Sequence, residues 1–589
     1  MKTKYLIYFL CGSMLAGLTS CLKSKLLDQN PQTSISDATF WKTANDLKLY
    51  VNNFYQKLPA YTNWASMGIY SADDNSDNMI YGQYNQWLNG QGIIPASGGG
   101  WSYGDWSNIR NVNYFLQNYS KVKDPFNTYA TYVGEAYFFR AMFYFDKLKT
   151  FGALPWINIA LNTNDTTYLM APRLPRNIIA DSIISDLDHA IADLLPKGQA
   201  ASMRIYKEYA EGFKSRVALY EGTWEKYHEG DPFGVPGQNG SQFLQIAAEA
   251  ADAVITSGKF ALDNVGQSNG YWALFNQTDY SNSKEIMFWR QYSYQDLITQ
   301  HWNQYSSAGA NRGITKSLVD AYLCTDGQPI AVSPLYKGDD SLDLVIKNRD
   351  PRLAQLIYTP GDVIFSASTY PTGQALLFQY PALNVGGETQ CITGYQLYKG
   401  HSLDYNQAFD QNQDGITGLI FMRYAEVLLN YAEAKAESGT ITQSDLDLTI
   451  NKLRDRVGMP HLVLNAITTD PHWQFTGLSP IINEVRRERR VELACEGFRY
   501  DDIMRWAAAG RLIYGWKPLG AKWNQWATVI PGMTVGKNVF VNANGYIEPF
   551  QQVATLSNGY QFNVNRDYLN PIPTQELTLN PNMKQNPGW

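Results

Sequence analysis

The chain has 589 residues, more than one ordinary hydrophobic core encloses, so two lobes or one large composite domain are expected. The formal net charge is −6, only 17% of residues are charged, and no long basic run occurs, which excludes the cationic stripe that a nucleic-acid partner needs. Aromatic residues reach 14%, with 40 Tyr and 16 Trp, an excess that suits either a ligand surface of stacked rings or a Tyr-rich core.

Lys2 and Lys4 form a short cationic start, and Tyr5 to Leu18 is an apolar stretch too short to span a membrane comfortably. It ends in Leu18-Thr19-Ser20-Cys21. A leucine three places before a cysteine, with small residues between, matches a bacterial lipobox. Residues 1–20 therefore read as a lipoprotein signal peptide and Cys21 as the lipidation site, and two or more acyl chains there would anchor the chain stably. No later run approaches the length of a membrane span.

Phe40, Trp41, Leu47, Tyr50, Val51 and Phe54 mark a first amphipathic helix, with cap-type residues between Thr33 and Asp37. The stretch Ser71 to Asn78 is acidic and turn-forming. Its Asp73, Asp74 and Asp77 suit calcium, sugar hydroxyls or simple loop capping. Tyr81, Tyr84, Trp87, Trp101, Tyr103 and Trp106 crowd a loop-rich segment broken by Gly98-Gly99-Gly100. Trp101 and Trp106 precede a helix through Ile109 and Leu116 and are expected to pack. Tyr84 and Trp87 are the ligand candidates.

From Gly134, Tyr137, Ala141, Tyr144, Leu148 and Phe151 recur at helical steps, and two further apolar stripes flank them. A helix apolar on so many sides is buried on as many, and Gly152 and Pro155 stop it. Asp181 to Leu195, Tyr206 to Tyr220 and Phe243 to Ile255 continue in the same style, suggesting tetratricopeptide-like pairs without a strict repeat signature. From Lys259 to about Phe421 periodicity weakens. Irregular structure with a few strands and short helices is expected, carrying a second aromatic group of Trp289, Tyr292, Tyr294, Trp302 and Tyr305.

Arg423 to Ser438 is a strong helix, and Leu446 to Val457 reads as its partner. Pro480 to Trp506 carries four arginines and three glutamates between Glu484 and Glu492, a pattern of salt-bridged helix rather than anion site. The tail from Arg566 holds four prolines and should be extended and wrapped rather than helical.

Other chemistry is weakly supported. Cys324, Cys391 and Cys495 are too scattered for a metal knuckle, with one disulfide among them left open. The six histidines show no metal-binding spacing. Gly266-Gln267-Ser268-Asn269-Gly270 fits a nucleophile-elbow pattern, but the flanks ALDNV and YWALF do not clearly supply the strand before it and the helix after it. Asp410, Asn412 and Asp414 copy the first half of a calcium loop, with Phe421 where a bidentate Glu is needed, so calcium is at most a weak candidate cofactor.

Several stretches together resemble the SusD/RagB family of outer-membrane lipoproteins of the Bacteroidota. They are Cys21, LDQNPQTSISDATFW at 27–41, GEAYFFRAMFYFDKLKTFGALPWI at 134–157 and TKSLVDAYLCTDGQPI at 315–330 with NRDPRL at 348–353. RYAEVLLNYAEAKAESG at 423–439, RRERRVELACEGFRYDDIMRW at 486–506 and the tail YLNPIPTQELTLNPNMKQNPGW complete the set. The resemblance implies a mainly α fold: four tetratricopeptide-like helix pairs and a loop-rich C-terminal half containing few short strands. It implies a helical region over 21–230 and a C-terminal region over 231–589, joined in one composite domain.

It also implies a binding protein rather than an enzyme, which captures oligosaccharide at the cell surface and passes it to a SusC-like TonB-dependent transporter. Glycan binders of the family carry aromatics in loops corresponding roughly to 79–101 and 287–305, which adds Trp289, Tyr292 and Trp302 to Tyr84, Trp87, Asp73 and Asp74 as ligand candidates. Lys23 and Lys25 stand where acidic residues often follow the acylated cysteine in surface-exported members, which leaves the direction of exposure open. A peptide-binding lid of the RagB type and an outer-membrane hydrolase are the competing readings.

Overall fold

The computed structural model describes residues 40–61, 68–409 and 414–589. The leader, Cys21, the cap-type residues at 33–37, and Asp410 and Asn412 lie outside the described residues. The fold is dominated by helices, with three small antiparallel sheets of two strands each among the described residues.

Helix α1 (Ala44–Tyr55) starts at Thr43, where the Thr43 side chain accepts from the Asp46 amide and the Asp46 carboxylate accepts from the Thr43 amide. Ser102 and Asp105 cap α2 (Tyr103–Asn118), the Ser102 amide donating to Asp105 at 2.8 Å. The long helix α3 (Ala130–Phe151) begins four residues before the expected Gly134 and stops at Gly152, whose φ of 69° favours glycine. Residues around its whole circumference are buried, among them Ala136, Phe138, Phe139, Ala141 and Tyr144.

Helices α4 (Arg176–Asp193), α5 (Lys207–Tyr227) and α6 (Ser241–Thr256) follow, each packed on its predecessor. Close approach rests on missing side chains. A Cβ on Gly134 would lie 3.1 Å from the Ala190 carbonyl oxygen, and one on Gly222 only 2.8 Å from the Leu244 nitrogen. In the C-terminal half, α7 (Tyr424–Glu437) packs on α5 and α6 and also on α9 (Pro480–Glu492). The expected partner helix is broken at Thr449, which leaves α8 as Ile450–Val457. The expected run from Pro480 to Trp506 is broken too. It divides into α9 and α10 (Arg499–Arg505) around Cys495 and Gly497, which have φ of 63° and 86°.

Arginine–carboxylate pairs, most of them buried, join neighbouring helices. Arg140 of α3 meets Asp186 of α4 at 2.6 Å, and Arg176 of α4 meets Glu221 of α5 at 2.7 Å. Arg216 of α5 meets Glu426 of α7 at 2.6 Å, Arg486 of α9 meets Glu437 of α7 at 2.8 Å, and Arg505 of α10 meets Glu433 of α7 at 2.6 Å. The charged helix α9 is thus salt-bridged as expected, by Arg487 with Glu484 within the helix and otherwise with partners on other elements inside the protein. Glu492 alone takes Arg352, Arg423 and Arg456, and although burial pushes its carboxyl up, these three hold it well below the usual carboxylate range.

A first short strand, β1 (Met79–Tyr81), lies between α1 and α2, and the segment between the two helical parts is irregular, as expected, with short strands β2 (Ile286–Arg290), β3 (Arg312–Ile314), β4 (Val363–Phe365), β5 (Leu376–Leu377) and β6 (Leu419–Arg423). β1 pairs with β3, β2 with β6 and β4 with β5. Cys324, Cys391 and Cys495 are buried free thiols, so no disulfide joins them. The tail is wrapped as expected but includes a helical turn, Thr574–Leu579, whose Thr574 and Gln575 amides donate to the carbonyls of Pro95 and Ala96. No helix among the described residues is long and apolar enough to cross a membrane.

Candidate ligand-binding surface

The turn Ser71–Asn78 leads straight into β1, and pairing with β3 sets Tyr81 opposite Arg312. Two of the three turn carboxylates face inward. Asp73 accepts from the backbone amides of Cys495 and Gly497 at 2.8 and 3.1 Å and from the Asn78 amide at 2.8 Å. Burial pushes its carboxyl up, and these donors oppose the rise. Asp77 is gripped by Arg490 and Arg499. Neither carboxylate is presented to a ligand, because each ties the turn to the α9–α10 connection or to these helices. This corrects the expectation for Asp73.

Asp74 points the other way. It meets the Arg312 guanidinium at 2.9 Å, and that guanidinium lies 4.7 Å from the Tyr81 ring centroid. Burial raises the Asp74 carboxyl to about 6, against the pull of Arg312, with Asp73 and Glu388 adding to the rise.

Past β1 the chain runs along the surface, and Asp74, Tyr81, Tyr84 and Trp87 line one open depression of about 810 Å³. Phe550 and Val553 complete its apolar wall, and the Tyr84 and Phe550 rings meet edge to face at 6.5 Å. The side-chain amides of Asn75, Gln83, Asn85 and Gln86 supply the polar lining. Asn85 is itself fixed, its amide side chain donating to Asn75 and its carbonyl oxygen accepting from the Leu88 backbone at 3.0 Å. Tyr84 donates to Gln91 at 3.1 Å. Trp87 donates from Nε1 to the Asp567 carbonyl at 3.2 Å and stacks on Trp589 with centroids 5.4 Å apart. Tyr84, Asn85 and Trp87 are thus held in place by contacts within the protein, the kind of preorganisation that lowers the entropic cost of binding.

The second aromatic group is not part of this surface. Trp289 lies on β2, 7% exposed, with its ring edge to face on Tyr280 at 5.2 Å and packed where Gly418 has no side chain. Tyr292 is 2% exposed and donates to the Ala60 carbonyl. Trp302 is 3% exposed and meets Tyr292 edge to face at 5.6 Å. These three rings serve the interior, contrary to the expectation of a ledge over 287–305. Trp302 does border a separate cavity of about 420 Å³, which is also walled by Tyr61 and Gly68, the neighbours of the undescribed residues 62–67.

Asp414 pairs with His301 at 3.1 Å, and among the described residues no group of three or more His, Cys, Asp or Glu side chains is placed to hold a metal ion. Phe421, at the twelfth position of the half calcium loop, lies in β6.

Sequence reasoning missed Phe550, Val553, Trp589 and Arg312. None carries a periodic signal, and all but Arg312 come from more than 450 residues down the chain from Trp87. Tyr81 stood in the noted aromatic run without being singled out as a ligand residue.

A stack of helix pairs that holds an aromatic, amide-lined depression on irregular connections defines a class of binding scaffold. Residues 273–589 match the sequence profile of the SusD family, and the chain belongs to that family. It is 26% identical to SusD-like protein P2 of Formosa agariphila, over the full length of both chains. It is 22% identical to a SusD-like protein of Bacteroides ovatus, over 86% of this chain and 83% of the relative. Among solved structures it resembles a SusD-like carbohydrate binding protein from Bacteroides fragilis, with a TM-score of 0.69 and 23% identity, covering 93% of this chain and all of that one. It also resembles a SusD homolog from Bacteroides thetaiotaomicron, with a TM-score of 0.64 and 17% identity, covering 96% of this chain and all of that one.

Proposed function

We propose that the protein is a glycan-binding lipoprotein, anchored through acylated Cys21 in the outer membrane, that captures oligosaccharide and passes it unaltered to a SusC-like TonB-dependent transporter. The observation that carries this reading is the convergence of Tyr81, Tyr84 and Trp87 with Asp74 and four side-chain amides on one open depression. Ring faces stack on the C–H faces of sugars, and amides both donate to and accept from hydroxyls. Membership of the SusD family and the likeness to a SusD-like carbohydrate binding protein support the reading. Binding without chemistry is the simplest use of such a surface, because Asp74 is the one carboxylate among the described residues lining it and glycoside hydrolysis ordinarily takes two.

The test is calorimetric titration of a glycan panel into the chain lacking residues 1–21, followed by the Tyr84→Ala and Trp87→Phe variants against any glycan bound. The reading expects one or more ligands and a loss of affinity of about tenfold for Tyr84→Ala, the scale of one stacked ring. Affinity unchanged in both variants would remove the depression as the site. Cys21→Ala is expected to shift the protein from the membrane fraction to the soluble one in cells, and retention on the membrane would remove the anchor.

A further inference from the structure

The depression carries a charge signature. Among the described residues lining it, Asp74 alone is ionisable below the tyrosine range; the rest are rings, amides, Gly82 and Val553. Its counter-ion is not in the wall. Arg312 is 11% exposed, and its guanidinium is engaged by the Asp74 carboxylate and by the Tyr81 ring. The neighbouring carboxylates of Asp73, which is buried, and Glu388, which is exposed, both disfavour further negative charge at this point.

We propose that this surface takes uncharged glycans and rejects uronates and sulfated sugars, with Asp74 as the filter; this rests on the glycan reading above. A sugar hydroxyl can donate to the Asp74 carboxylate, whereas a uronate or sulfate can only accept, and so presents lone pairs to lone pairs. Like charges brought together in a partly desolvated site repel far more strongly than in bulk water. The ring faces of Tyr81, Tyr84 and Trp87 carry negative quadrupole density, which favours C–H faces and disfavours anions. The amides of Asn75, Gln83, Asn85 and Gln86 answer hydroxyls in either sense and bring no charge of their own. Of the nearby guanidinium groups, Arg312 is already paired with Asp74 and Arg566 with Asp567, so an acidic polymer must compete with a carboxylate for either of them.

The experiment compares neutral polysaccharides (galactomannan, xyloglucan, laminarin, dextran) with acidic ones (alginate, polygalacturonate, carrageenan) by affinity electrophoresis and calorimetry, using the whole chain after residue 21. The expected result is binding confined to neutral glycans, at least about tenfold tighter than to any acidic one and insensitive to added salt. The Asp74→Asn variant, which leaves the Arg312 charge uncompensated beside the wall, is expected to narrow that ratio by raising affinity for the acidic panel. If an acidic glycan binds the unsubstituted protein most tightly, the filter falls while the glycan reading stands. If neither panel binds, both fall together. If Asp74→Asn folds, binds neutral glycan and leaves the ratio unchanged, Asp74 is not the filter.

Discussion

Trp589 is stacked on Trp87, their planes 25° apart, and the Arg566 guanidinium lies 4.3 Å from the Trp589 ring centroid. The two indoles and the guanidinium form a layered support that fixes the Trp87 ring at the edge of the depression. Each layer is tied to backbone: Trp87 to the Asp567 carbonyl, Trp589 to the Leu569 carbonyl at 2.9 Å and Arg566 to the Gly90 carbonyl at 2.6 Å.

Trp589→Ala removes a stacked pair worth about 0.5–1.5 kcal/mol beyond its buried area, so glycan affinity is expected to fall by roughly threefold to tenfold, with the fold intact. Trp589→Phe is expected to restore most of it. Calorimetry with circular dichroism checks both.

Asp186 and Asp188 lie on the same helix and have opposite surroundings. Asp186 is buried against Arg140, whereas Asp188 is 55% exposed beside Lys214. Asp186→Ala leaves a buried guanidinium without its carboxylate and is expected to cost about 3–5 kcal/mol. Asp188→Ala is expected to cost under about 1 kcal/mol. The comparison is read from the two thermal unfolding midpoints.

Glu225 is buried on α5, with its Oε2 accepting from the Gly240 amide at 3.1 Å and its Oε1 without a hydrogen-bond partner among the described residues. Burial, reinforced by neighbouring Glu221, raises its carboxyl from 4.5 to about 7, with Arg176 opposing. The folded chain therefore keeps this proton to higher pH than the unfolded chain does. The resulting stability is full below pH 4.5 and is lost as pH rises through about 7. Glu225→Gln is expected to remove this component and to be more stable than the parent at pH 8. Urea midpoints of both proteins across that range test the sign.

Trp289 offers a control for the ligand surface. Trp289→Ala empties an interior site and is expected to lower stability by about 3–5 kcal/mol. Any effect on glycan affinity should come only through loss of folded protein. A specific loss of affinity at full folding, seen by titration below the melting range, would place that ring back among the ligand contacts.

These residues also show how far the sequence could be read. The helices were legible because their signal is local: Tyr137, Ala141, Tyr144 and Leu148 fix one face of α3 by spacing, and Gly152 marks its end. The aromatics on irregular segments carry no such signal. Trp87 and Trp289 look alike in sequence, and what separates them is distant. Trp289 is enclosed because β2 pairs with β6, in register with Ile420, whereas Trp87 stacks on Trp589 of the tail at the rim of an open depression. The acidic turn shows the same limit, since Asp73 and Asp74 are adjacent, and only the arrival of the Cys495 and Gly497 amides turns the first inward.

Helix α4 carries two arginine–carboxylate forks facing different neighbours, Asp186 toward α3 and Arg176 toward α5. One inserted residue between positions 176 and 186 would swing one fork by about 100° relative to the other, so that at most one could close. Length change in this architecture is therefore confined to the connections, while each helix is indexed against both of its neighbours like a toothed rod between two racks.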